Sequence, residues 1–176
     1  MRHLSRCFLL SALWFLAGPA SAAELVVPVD LINERGIGKR IGAISIADSQ
    51  YGLVFTPTLE NIPAGIHGFH VHENPNCLPE DKDGKPVAGL AAGGHYDPKG
   101  SKRHDTPWGN GHLGDLPALV ANQAGKAVYP VLAPRLKLKD IKSRSLIIHV
   151  GEDNYSDLPE PLGGGGARLA CAVIKN

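Results

Sequence analysis

Beyond residue 23 no stretch of this chain carries the 3.6-residue apolar period of a long helix. Glycine and proline, 21 and 14 of the 176 residues, interrupt it every few positions. Between the breaks lie short runs rich in β-branched, aromatic and other apolar side chains, at 25–32, 41–47, 53–59, 66–73, 118–121, 126–131, 145–150 and 168–174. Asn122-Gln123-Ala124-Gly125 separates the fifth and sixth runs as a hairpin turn would. About eight short strands with turn residues between them predict an all-β fold, an antiparallel sandwich or barrel. The sequence shows no internal repeat and no domain linker.

The first residues follow another logic. Arg2, His3 and Arg6 make a basic start, residues 8–17 are almost all apolar, Gly18-Pro19 breaks the run, and Ala20-Ser21-Ala22 has the A-x-A form of a cleavage site. The apolar run is shorter than the ~20 residues a membrane-spanning helix needs. The expectation is a secretory signal at 1–22, cleaved after Ala22 or Ala23, followed by a single exported domain at 23–176 that is free of the membrane. Taking 22 residues from 176 leaves 154, enough for one domain with a real core. Losing Arg2 and Arg6 leaves 16 basic residues against 17 acidic ones, a formal charge of −1 without the basic excess of a nucleic-acid binder. Cys7 leaves with the signal, and Cys77 and Cys171 remain. Two cysteines in an exported chain suggest a disulfide. It would close a loop of roughly 95 residues, with a chain-entropy contribution of up to about 4–5 kcal/mol. A pair of thiolate metal ligands is the alternative that the residues themselves leave open.

Two segments, 74–115 and 151–167, are too long for strand connections in a compact domain, and such loops are functional or disordered. The first holds Cys77, His95, His104, His112 and Asp115; the second ends in Gly163-Gly164-Gly165-Gly166. Metal binding and a disulfide can order a loop that lacks an apolar core, so an ordered, metal-stapled loop is expected at 74–115.

Of eight histidines, only His3 and His67 stand outside a set whose spacing fits two metal ions sharing a ligand. His70 and His72 are two apart on a predicted strand, so both rings point to one face while Val71 faces the core. Their Cβ atoms would lie ~6.5–7 Å apart, a separation that lets both rings reach one metal at bonds of ~2 Å. Taken singly, H-x-H also fits a pair of surface histidines, and His149, in the apolar run 146–150, fits a hydrogen-bonded core residue. His95, His104, His112 and Asp115 offer three nitrogens and one carboxylate, the donor set of a closed tetrahedral zinc site. Gly93-Gly94 before His95, and Gly111 and Gly114 around His112, permit the tight turns such wrapping requires.

Four stretches together resemble the copper–zinc superoxide dismutase family: Gly68-Phe69-His70-Val71-His72-Glu73, Ala92-Gly93-Gly94-His95-Tyr96-Asp97-Pro98, Gly111-His112-Leu113-Gly114-Asp115-Leu116-Pro117, and Gly163-Gly164-Gly165-Gly166-Ala167-Arg168-Leu169-Ala170-Cys171. Asp153-Asn154-Tyr155-Ser156-Asp157 and the exported context are similar to the bacterial periplasmic branch. The resemblance covers essentially the whole chain after the signal. It implies an eight-stranded antiparallel Greek-key flattened barrel, an immunoglobulin-like sandwich, with two long functional loops. It implies one copper, held by His70, His72, His95 and His149, and one zinc, held by His95, His104, His112 and Asp115, with His95 as the shared bridge. It further implies that Asp153 hydrogen-bonds His70 and His104, that His67 braces backbone, that Cys77 pairs with Cys171, and that Arg168 stands at the copper channel as an anion guide.

The implied activity is antioxidant dismutation of superoxide to dioxygen and hydrogen peroxide, with superoxide as the small-molecule substrate and His95 and Arg168 as the catalytic pair. Lys99, Lys102 and Arg103 could add positive potential. Trp108, a large aromatic in a polar loop, is a candidate contact in a homodimer. The competing readings are a periplasmic copper or zinc carrier without turnover and a metal-stabilised sandwich that has lost its chemistry.

Overall fold

The computed structural model describes residues 24–175. The expected signal peptide and its cleavage point lie outside the described residues. The described residues form eleven strands: β1 (Glu24–Asn33), β2 (Gly36–Ser49), β3 (Gly52–Leu59), β4 (Gly65–His67), β5 (Phe69–His72), β6 (Glu80–Lys82), β7 (Lys85–Val87), β8 (Leu119–Ala121), β9 (Val131–Ala133), β10 (Arg144–His149) and β11 (Arg168–Ile174). Among the described residues helix is confined to single turns at Leu90–Ala92 and α1 (Leu138–Ile141), with a tight turn at Pro161–Gly164 in which Leu162 and Gly163 have positive φ. No helix among the described residues is long and apolar enough to cross a membrane.

Seven strands form one antiparallel sheet in the order β5-β10-β11-β1-β2-β3-β9, and β4 pairs with β8. β4 and β5 are one run of chain divided at Gly68, and an isolated bridge joins Leu59 to Ala127. The sheet therefore curls round and meets itself through β4, β8 and that bridge, which makes the Greek-key barrel of eight principal strands. Alternation builds its core. Val27 and Val29 from β1, Ile41, Ile44 and Ile46 from β2, and Leu53, Phe55 and Leu59 from β3 all point inward and are buried. Phe55 meets Phe69 edge to face at 5.7 Å. At Gly42, where φ is +139°, any Cβ would overlap the Thr58 carbonyl, so only glycine lets β2 lie this close to β3.

The sequence reading needs correction in two places. Residues 126–131 are not a continuous strand. The turn at 122–125 does form, with Asn122 N donating to Lys126 O at 2.9 Å, but its second arm makes only the Ala127 bridge. Pro130 has no N–H to give a ladder, and regular pairing resumes at Val131 against Phe55. The long loop, in turn, is not devoid of regular structure. β6 and β7 form a hairpin there, turning at Asp83-Gly84 with φ of 56° and 78°, the positive angles that a tight two-residue hairpin turn demands.

Cys77 and Cys171 form a disulfide with Cα atoms 5.8 Å apart, tying the loop to β11. Around it Ile32, Ala92 and Ile147 make a small second core on the outer face of the sheet. The loop is thus anchored at its start by sulfur and by apolar packing, and further along by the polar cluster described next.

Candidate metal centre

β5 sets the first two imidazoles. Val71 is buried in the main core, while His70 and His72 point to the opposite face beneath the long loop, with ring centroids 6.4 Å apart. His149, the last residue of β10, reaches the same space, because Ile147 pairs with His70 and Ile148 with Phe69. His95 is brought in from the loop by an isolated bridge to His72. Its ring stacks on that of His70 at 3.9 Å. Potential donor atoms of His70, His72, His95 and His149 lie within 4.8 Å of one another, and all four residues are buried.

Each strand-borne ring commits one nitrogen elsewhere. His70 Nε2 donates to Asp153 Oδ2 at 2.8 Å, His72 Nδ1 to the Gly93 carbonyl at 2.9 Å, and His149 Nδ1 to the Gly166 carbonyl at 3.1 Å. A neutral imidazole that donates through one nitrogen carries a bare lone pair on the other. Those other atoms, His70 Nδ1, His72 Nε2 and His149 Nε2, together with His95 Nε2, are buried and have no hydrogen-bond partner. Leaving four buried acceptors unsatisfied would be costly, and a cation coordinated by all four removes that cost. Burial holds the proton affinities of these rings down, His149 to about 4 and His70 and His72 well below the ordinary histidine value. Near neutral pH they are therefore uncharged, the state a metal requires. Four imidazoles suit copper.

The second quartet gathers on one atom. His95 Nδ1 and His104 Nδ1 each lie 3.0 Å from Asp115 Oδ1, and His112 Nδ1 lies 3.3 Å from it. Ligand atoms around a tetrahedral zinc with bonds of about 2.0–2.1 Å stand about 3.3 Å apart, so these separations approximate the edges of such a site. His70, His95, His104 and Asp115 also have donors within 4.8 Å of one another. His70 fits the first quartet better, since Nε2 is bonded to Asp153 and only its bare Nδ1 remains. Burial favours protonation of Asp115, but bonds from His104, His112 and His95 prevail and hold it well below the usual carboxylate range. Burial likewise opposes charge on His104, yet Asp115 and Asp153 raise it to about 9. In the metal-free protein, a proton on this ring stands where a cation belongs.

Asp153 joins the two quartets. Its Oδ2 accepts from His70 and its Oδ1 from His104 Nε2, both at 2.8 Å, which fixes both ring orientations. Gly163 packs against it so closely that any side chain there would overlap Asp153 Oδ1. His67 spans two carbonyls, those of His149 and Pro63, at 2.8 Å each, and lies outside both quartets. Arg168 pairs with His149 in the β10–β11 register, and its guanidinium donates to the carbonyls of Gly89 and Gly93. Lys99, Lys102 and Arg103 are exposed.

One contact escaped the sequence reading. Asp157 accepts from the backbone N–H of His104 at 2.9 Å and of Leu162 at 3.1 Å, clasping the second long loop to the first. Its place at the end of the Asp153–Asp157 motif was the available signal.

A Greek-key barrel with an all-imidazole quartet beside an imidazole–carboxylate quartet, one ring belonging to both, defines a binuclear metalloprotein. Comparison with known proteins makes the family plain. The family described as copper/zinc superoxide dismutase (SODC) matches residues 41–174. A superoxide dismutase [Cu-Zn] of Pasteurella multocida (strain Pm70) is 60% identical over 153 residues, 86% of this chain and 82% of that protein. The solved copper/zinc superoxide dismutase from Brucella abortus is 54% identical with a TM-score of 0.85, covering 87% of this chain and 100% of that one. The monomeric copper, zinc enzyme from Salmonella enterica is 52% identical with a TM-score of 0.79, covering 87% of this chain and 100% of its own. This chain belongs to the copper/zinc superoxide dismutase family.

Proposed function

We propose that this protein dismutates superoxide with one copper and one zinc per subunit. His70, His72, His95 and His149 would hold the copper, and His95, His104, His112 and Asp115 the zinc. The observation that carries this reading is the convergence of four buried, unpartnered ring nitrogens on one point beside Arg168. When bound, copper supplies one-electron oxidation and reduction, while zinc, which has no redox chemistry, supplies a fixed charge. Two superoxide ions and two protons become dioxygen and hydrogen peroxide.

The residues around this chemistry divide the work. Arg168 is held by two loop carbonyls, and burial lowers its proton affinity only from a very high starting value, so it keeps its charge. Its remaining N–H groups attract and orient the anion. His95 faces both quartets, with Nδ1 toward Asp115 and Nε2 toward the other three rings, so Nε2 is the atom placed to carry a proton toward the product. Asp153 keeps the donor nitrogens of His70 and His104 aimed. Superoxide decay measured with protein loaded with both metals tests this reading: metal uptake without faster decay would favour a carrier.

We place the site of action in the periplasm, after removal of residues 1–22 and leaving a single domain at 23–176. The leader pattern and the Cys77–Cys171 disulfide support this. Mass spectrometry of the periplasmic fraction would define the first residue. For assembly we favour a homodimer with Trp108, 68% exposed, at the contact. A monomeric sedimentation coefficient at micromolar concentration would refute it.

A further inference from the structure

We infer that Arg135 is a positioning residue for the zinc quartet, acting through the backbone of the loop segment that carries His112. This rests on the zinc assignment made above. Arg135 lies between β9 and α1, outside the long loop, next to Leu136, whose side chain is sunk in the barrel core. Its guanidinium crosses to the loop and donates to three carbonyls: Nε to Pro107 at 2.7 Å, Nη1 to Gly111 at 3.1 Å, and Nη2 to His112 at 2.6 Å. One planar fork thus gathers both ends of the turn 107–112 and the carbonyl of a zinc ligand. A lysine, with a single ammonium, cannot span three such acceptors.

The position matters because His112 is the weakest corner of the quartet. Its ring nitrogen is the farthest from Asp115 Oδ1, and at 7% it is the most exposed of the four residues. Unlike His104, it has no Asp153 behind it. Its own backbone is tied to the loop by His112 N donating to Arg103 O and Asp115 N donating to His112 O, the latter at 3.3 Å. Arg135 adds a shorter bond to that same carbonyl, from an element whose place is set by the core. The half-buried guanidinium also uses its donors on carbonyl oxygens, so holding this turn is what its partial desolvation accomplishes.

The test compares the parent, Arg135→Lys, Arg135→Gln, His112→Ala and Leu136→Val, all with the disulfide intact. Zinc affinity is read by chelator competition, and the cobalt(II)-substituted site by its visible bands, which report tetrahedral ligation. Both Arg135 variants should bind zinc on the order of 10-fold more weakly, with weakened cobalt bands and copper affinity unchanged. His112→Ala should lose the tetrahedral bands altogether. Leu136→Val perturbs the same segment through the core and should lower thermal stability while leaving the cobalt bands intact. Zinc affinity and bands equal to the parent in Arg135→Lys and Arg135→Gln would overturn the inference. So would an equal loss of zinc in Leu136→Val at matched stability. Absence of tetrahedral bands in the parent would instead refute the zinc quartet itself, and the role of Arg135 with it.

Discussion

The two quartets share a ring, yet they are built in opposite ways. Three of the four histidines proposed for copper stand on strands, where pairing in the barrel sets their backbone. All four residues proposed for zinc stand on the long loop; backbone bridges to β5 set His95 and Asp115, and what completes the cluster with His104 and His112 is charge, a buried carboxylate held ionised by three imidazoles. One half is a neutral cage set by backbone geometry. The other is an anionic centre set by electrostatics and by partners reaching in from elsewhere. The cage should tolerate loss of its metal, whereas the loop should not.

The largest effect expected from this contrast is at His149, which faces only the copper side. His149→Ala should lower dismutation on the order of 10³-fold or more while zinc uptake stays unchanged. Loss of zinc with dismutation retained in that variant would invert the assignment. Next is Asp115→Ala, which removes the atom on which the zinc side converges. Zinc affinity should fall on the order of 100-fold, and protease should cut 74–115 faster, while the far-ultraviolet dichroism of the barrel is preserved. An uncut loop would mean that the disulfide and apolar packing suffice to order it. Asp153→Ala, striking the one carboxylate common to both sides, should weaken copper and zinc binding together by about 10–100-fold. A loss confined to one metal would show that the halves are less coupled than the shared bonds suggest.

The smallest effect is a pH profile of the metal-free protein. On the copper side, burial depresses the histidines, so the unfolded chain binds protons that the folded chain refuses. Stability should drop as pH falls below 6.5, continuing for His149 to about 4. On the zinc side His104 is raised, so its contribution is complete below 6.5 and is lost as pH climbs through about 9. Urea midpoints between pH 4 and 9.5 should therefore show two declining arms with separate origins. His149→Ala should flatten the acid arm alone, and an unchanged acid arm in that variant would contradict the burial argument.

The same contrast explains what could be read from sequence. β1, β2 and β3 were legible because their alternation of valine and isoleucine with polar or small residues records one buried face. His70 and His72 were placed by the same period. Residues 126–131 misled because their apolar content suits a strand, while Pro130 denies the ladder a donor. The β6–β7 hairpin was hidden by the charge of Glu80, Asp81 and Lys82, although Asp83-Gly84 was a turn signal. Arg135 was not legible at all: its partners are carbonyl oxygens 23 to 28 positions away, and a backbone acceptor leaves no mark on residue identity.

The disulfide has a chemical consequence beyond tying the loop down. The chain's single methionine is Met1 and its third cysteine is Cys7, both in the expected leader. Within 24–175 the only sulfur atoms are those of Cys77 and Cys171, already joined to each other. Within that span, hydrogen peroxide released by the proposed reaction would find no thiol to convert to sulfenic acid and no thioether to convert to sulfoxide. Beyond the expected leader, a catalyst that generates an oxidant thus offers it none of the soft atoms it attacks most readily.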